Sequence, residues 1–176
     1  MHNTLLKQFI LPFWSICTLQ KGPQDLPVSG LLLTVVFFLG FLLDLVNLSI
    51  AVPETPLFTL AIMAIVYVIT LISSLSVLMW LMGYQQRVVQ TLTALLGTGI
   101  MISFFAFPAL IMLQRNPDEP SLFGLFILGI NLWNLAVSAH ILRFALSVSM
   151  LMAGVLAFGY FLLGFKITNL FISPAS

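Results

Sequence analysis

Five long apolar runs, separated by short polar breaks, leave this chain little choice of solvent. They are Ser29–Val52, Leu57–Gly83, Leu92–Leu113, Ser121–Ala139 and Phe144–Phe165, and Asp44 is the one charged residue inside any of them. A helix needs about 20 mainly apolar residues to cross a hydrocarbon core of about 30 Å. Within that core every backbone N–H and C=O must be satisfied by the protein itself, which a helix does internally. The expected fold is therefore all-α: a polytopic bundle of five transmembrane spans. Charged residues make up 6% of the chain, against about 25% in soluble domains. No polar stretch is long enough to fold separately.

The breaks between the runs are Pro53-Glu54-Thr55-Pro56, Tyr84 to Gln90, Gln114 to Pro120, and His140 to Arg143. Helices usually stop before proline, whose ring disfavours helical geometry in the preceding residue. The last break holds no proline. If the helix ran through it, the fourth and fifth runs would merge into a rod roughly twice as long as a bilayer requires, so a tight reversal is expected at His140–Arg143.

Residues 1–28 form a different unit from the membrane domain, residues 29–176. At 100° per residue, Thr4, Lys7, Gln8, Ser15 and Thr18 share one arc, with Leu11 the sole apolar member. Leu5, Leu6, Phe9, Ile10, Phe13, Trp14, Ile16 and Leu19 occupy the remainder. This pattern predicts an amphipathic helix in the membrane interface, its apolar side sunk about 5 to 10 Å into the headgroup boundary. Pro12 should kink it, having no N–H to donate. The run from Phe9 to Leu19 lacks the length and the small-residue cleavage site of a signal peptide, so the segment is expected to be retained. Gly22-Pro23-Gln24-Asp25-Leu26-Pro27 then links it to the first span.

Lys and Arg of short loops stay on the cytoplasmic side. Five spans place Lys7, Lys21, Arg87 and Arg143 on one side and Arg115 and Lys166 on the other. The N-terminus is thus expected inside and the C-terminus outside. Six scattered basic residues make no clustered footprint for nucleic acid, and Cys17, the single cysteine, can form no internal disulfide.

Asp44 is the sharpest chemical feature. A carboxylate near the centre of a membrane helix costs about 2.5 to 3.5 kcal/mol on insertion scales, so it should face protein or water. Gly40, Asp44 and Asn47 share one helical face, and Asn131, Asn134 and Ser138 share another on the fourth span. Together Asp44, Asn47, Asn131, Asn134 and Ser138 form a candidate intramembrane polar site, with an Asp44–Asn131 bond possible in principle. It serves either as interhelical glue or as a place for a proton or ligand. Lys7, Arg87, His140 and Arg143 are candidate contacts for lipid headgroups. Ala145, Ser149, Ala153 and Ala157 recur every four residues and form a candidate packing seam, with Gly99 and Ser103 a shorter version. No paired carboxylates, nucleophile with base, or metal-ligand set falls within the spans, so neither enzymatic activity nor a cofactor is expected.

With its linker from Gly22 to Pro27, five closely spaced spans and short loops, the chain from Gly22 to Phe165 resembles the Yip1-like superfamily, in particular small bacterial membrane proteins of that plan. The Asp-Leu-Tyr-Gly-Pro motif of the trafficking members is absent, so their Rab-related function is not carried over. What the resemblance implies is a bacterial inner-membrane location and a non-enzymatic role. Three functions follow as expectations: an accessory or scaffolding subunit packing against other membrane proteins or itself, a small proton or solute pathway centred on Asp44, or a lipid-handling protein at the inner face.

Overall fold

A computed structural model describes residues 2–115 and 120–172, with side chains for 10–115 and 122–170. Among these residues there is no strand, and there are six α-helices: α1 His2–Cys17, α2 Gly30–Ala51, α3 Leu57–Leu81, α4 Val88–Arg115, α5 Pro120–Leu146 and α6 Met150–Ile172. The last five are long and apolar enough to cross a membrane. The chain is an all-α integral membrane protein.

Local chemistry sets several helix ends. The Ser29 hydroxyl accepts from the Leu32 N–H at 3.2 Å and caps α2, supplying a partner for one of the N–H groups that a helix start leaves free. At the end of α3, Gly83 adopts φ +80°, which lets the Tyr84 N–H turn back to the Met79 carbonyl at 2.8 Å. Leu19 takes the same left-handed region at φ 62°, and Gln20 N–H reaches the Ser15 carbonyl at 2.9 Å to close α1.

The reversal expected at His140–Arg143 lies elsewhere. Those four residues are helical, and α5 continues to Leu146. The turn falls at Ser147, whose φ is 54°, and Ser149 opens α6 by accepting from the Met152 N–H at 3.3 Å. The physical reason is that nothing from His140 to Arg143 breaks a helix, whereas two serines close by favour turns and caps. The shift draws Lys166 into α6, where its side chain is exposed. Its long stem allows the ammonium to reach toward headgroups. Asp44 is therefore not the only charge carried on a spanning helix.

Short connections make α2, α3, α4, α5 and α6 alternate in direction. Around the bundle α2 packs on α4, α4 on α5, α5 on α6, α6 on α3 and α3 back on α2. This order is a closed ring, in which α3 and α4, although consecutive, touch little beyond their connecting turn.

Outside this ring, α1 leans chiefly on α4. Phe13, Ile16 and Cys17 are buried in one apolar cluster with Leu32 and Val36 of α2, Ala94 and Ile102 of α4, and Val137 and Ile141 of α5. Trp133 Nε1 donates to the Cys17 carbonyl at 2.9 Å. A Cβ at Gly97 would overlap the Phe13 ring, so the missing side chain is what admits α1. Phe13 and Ile16 were thus expected against lipid and instead face protein, while Ile10, Leu11 and Trp14 remain exposed. A helical wheel separates apolar from polar but does not distinguish lipid from a neighbouring helix.

The second apolar cluster lies at the α3–α5–α6 junction and contains Ala145, Ala153 and Ala157. Three members of the expected small-residue seam are therefore internal, and they sit on two helices rather than one. Ser149 is exposed and serves as a cap.

Burial pushes the Cys17 thiol up to about 11, against a smaller opposing effect of its backbone hydrogen bond. The thiolate is the reactive form, so Cys17 should resist maleimide in the folded protein. Gly97→Leu should lower stability by about 1 to 3 kcal/mol through overpacking, read by unfolding in a titration with sodium dodecyl sulfate, and should make Cys17 labelling faster. Gly124→Leu, with open space around the added Cβ, should change neither.

Candidate functional site

The ring of five helices surrounds a partly open cavity of about 620 Å³. Side chains from all five spanning helices line it. From α2 come Gly40, Asp44 and Asn47, whose spacing puts them on one helical face. From α5 come Asn131, Asn134 and Ser138, again on one face. All five members of the expected polar site thus border a single chamber, although they arise on helices that are not neighbours in the ring.

Their heights agree as well. At a rise of 1.5 Å per residue, Asp44, Tyr67, Asn131 and Gly164 each lie roughly 21 to 23 Å from the α1-side end of their own helix. Polar side chains on these spans avoid the cost of facing hydrocarbon by turning toward the centre. Leu43, Leu96, Leu135 and Phe161 supply apolar wall between them.

Among the described residues Asp44 has neither a hydrogen bond nor an ion pair. The Tyr67 phenol lies within its electrostatic reach. Asn47 Oδ1 is buried with no hydrogen-bond partner. The Asp44–Asn131 bond considered from sequence is not formed: Asn131 Nδ2 donates to the carbonyl of Ile127 in its own helix at 2.9 Å. Gly99 and Ser103, expected as a packing motif, instead border the chamber. A Cβ at Gly99 would meet nothing within 4 Å.

Two tyrosines were missed in the sequence. Tyr67 on α3 and Tyr160 on α6 both line the chamber. A Cβ on Gly164 would come 2.9 Å from Tyr67 Cε2, so glycine there lets α6 meet the tyrosine ring of α3. A phenol in the middle of a long apolar span was the available signal. Counting only charged and amide side chains passed over it.

The residues proposed for headgroups divide differently. Arg87 Nη1 donates to the Phe144 and Ala145 carbonyls and to Ser147 Oγ, at 3.2, 3.3 and 3.1 Å. It caps the C-terminus of α5, where a cation also complements the helix dipole. The His140 ring shares a hydrogen bond at 3.0 Å with the Lys21 carbonyl and packs edge-on against Phe144. Both are built into the fold. Arg143 is exposed, with its guanidinium 5.7 Å from the Phe144 ring centre. The Lys7 side chain lies outside the described residues, as do Asp118 and Glu119.

Compared with known proteins, the chain matches no family model, no curated protein and no solved structure.

Because Arg87 closes α5, Arg87→Ala should lower stability by about 1 kcal/mol, at the modest end for hydrogen bonds from a partly exposed charge. Arg143→Ala should leave it within about 0.5 kcal/mol, as for ordinary surface substitutions. The same detergent unfolding titration compares the two.

Proposed function

We propose that this chain is a non-enzymatic membrane protein whose inter-helix chamber binds a small solute and forms a pathway for it. The observation that carries this reading is the convergence of Asp44, Asn47, Asn131, Asn134 and Ser138 on one cavity of about 620 Å³. Glue between helices would pair these groups with one another. Instead Asp44 and Asn47 Oδ1 are left without hydrogen-bond partners among the described residues, and Asn131 bonds within its own helix. Pockets that take organic ligands are usually about 300 to 1,000 Å³, mostly apolar, with a few convergent polar groups. This chamber has that composition.

The accessory-subunit reading drew on the lack of a separate polar domain, the small-residue seams and the N-terminal helix; of these, Ala145, Ala153 and Ala157 make internal contacts and α1 packs chiefly on α4. The lipid-handling reading drew on Arg87, Arg143 and the N-terminal helix; Arg87 already holds backbone carbonyls, and α1 spends Phe13 and Ile16 on the bundle, which leaves Arg143 as the exposed cation of the three. Membrane lipids remain the surroundings of the exposed apolar surface. Our reading keeps the bacterial inner membrane and the five-span plan of Yip1-like proteins, with the N-terminus inside. What supports that orientation is Lys21, Arg87 and Arg143 at the end of the bundle where α1 docks, set against Arg115 and Lys166 toward the other.

The test is access of water-borne reagent to the chamber. In proteoliposomes, Ser103→Cys and Asn134→Cys should react with uncharged hydroxyethyl methanethiosulfonate, because a hydrated thiol can ionise. Leu125→Cys, on the outer apolar surface, should stay unreacted. If the chamber cysteines prove as inert as the lipid-facing one, the reading fails.

A further inference from the structure

Resting on the chamber reading, we infer that the ligand is a small organic cation with an apolar body, its charge held at Asp44. The charge bordering the chamber has one sign. Asp44 is the one acidic residue bordering the chamber among the described residues, and no Lys, Arg or His borders it. Beside low-dielectric apolar walls, even in a hydrated space, an uncompensated carboxylate repels anions and attracts cations over a longer range than in bulk water.

Size and wall chemistry narrow the cation further. A bare divalent metal ion takes six or more oxygen ligands, or an octahedron completed by waters, and here Asp44 is the single charged donor, the amides and hydroxyls that share the chamber being neutral and spread over all five helices. A cavity of about 620 Å³ is also far larger than such an ion occupies, and its apolar walls favour a ligand with hydrocarbon to bury.

The polar groups then match the parts of an alkylammonium. Asp44 offers the opposite charge. Asn47 Oδ1, buried and unpartnered, is an acceptor for an N–H. Tyr67 and Tyr160 border the same space, and aromatic faces attract cations through the ring quadrupole, most strongly where water is excluded. The remaining walls would take the ligand's apolar body.

The experiment measures protection of Asn134→Cys from the uncharged methanethiosulfonate by two probes sharing a benzyl body: cationic benzylammonium and anionic benzylsulfonate. Benzylammonium should slow labelling in a saturable manner, and benzylsulfonate should not. Adding Asp44→Asn should raise the half-protecting concentration at least tenfold while labelling itself persists, and Asp44→Glu should retain protection. Equal protection by the two probes, or protection unchanged in Asp44→Asn, would overturn the inference and leave the chamber reading standing. Loss of labelling with no probe present would overturn both. Should Asp44→Asn fail to fold, the contrast between the two probes on Asn134→Cys alone decides.

Discussion

The constraint on which everything else depends is the absence of water from the hydrocarbon core. It forces the backbone into helices, whose carbonyls and amides are satisfied within each rod. It also sends polar side chains away from lipid. On α2 the face carrying Asp44 and Asn47 points to the centre, and on α5 the face carrying Asn131, Asn134 and Ser138 does the same. Five helices meeting in the order α2, α4, α5, α6, α3 surround a space that their side chains do not fill. The chamber follows from ring closure together with inward polarity.

The same constraint explains what holds the helices together. Between helices in lipid, burying a leucine gains little, because lipid tails are as apolar as leucine itself. Contact must come from close packing and from hydrogen bonds that lipid cannot offer. Gly97 admits the Phe13 ring, and Gly164 admits Tyr67. Ala145, Ala153 and Ala157 bring α5 and α6 together. Hydrogen bonds from Arg87, His140 and Gln90 to backbone carbonyls fasten the end of the bundle where α1 docks. Trp133 binds the last carbonyl of α1 deeper within it.

Much of this was legible from spacing alone. The five spans are visible because lipid length and lack of charge are properties of each segment taken singly. The inward faces of α2 and α5 are visible because the price of a polar group in lipid depends on that residue, not on its neighbours. What stayed hidden depends on partners. Ring order is set by complementary surfaces on different helices, and no period within one helix encodes it. The docking of α1 rests on Gly97, which is ordinary until Phe13 lies over it. The turn at Ser147 was displaced because length reasoning outweighed the absence of any helix breaker from His140 to Arg143. Tyr67 and Tyr160 were overlooked because a tyrosine on a span is usually read by its ring and only becomes polar lining when its hydroxyl shares a space with Asp44.

If Asp44, Asn47, Asn131 and Asn134 surround hydrated space, the protein holds a polar compartment inside an apolar shell, and a charged guest can rest there without entering lipid. Spin-label accessibility tests this most directly. A nitroxide at position 131, facing the chamber, is compared in bilayers with one at Leu128, exposed on the outer surface of the same helix. The label at 131 should relax with a water-soluble nickel chelate and the label at 128 with oxygen, which concentrates in lipid. Oxygen dominating at both positions would contradict it, placing the polar face of α5 against lipid or in dry protein and leaving no chamber to occupy.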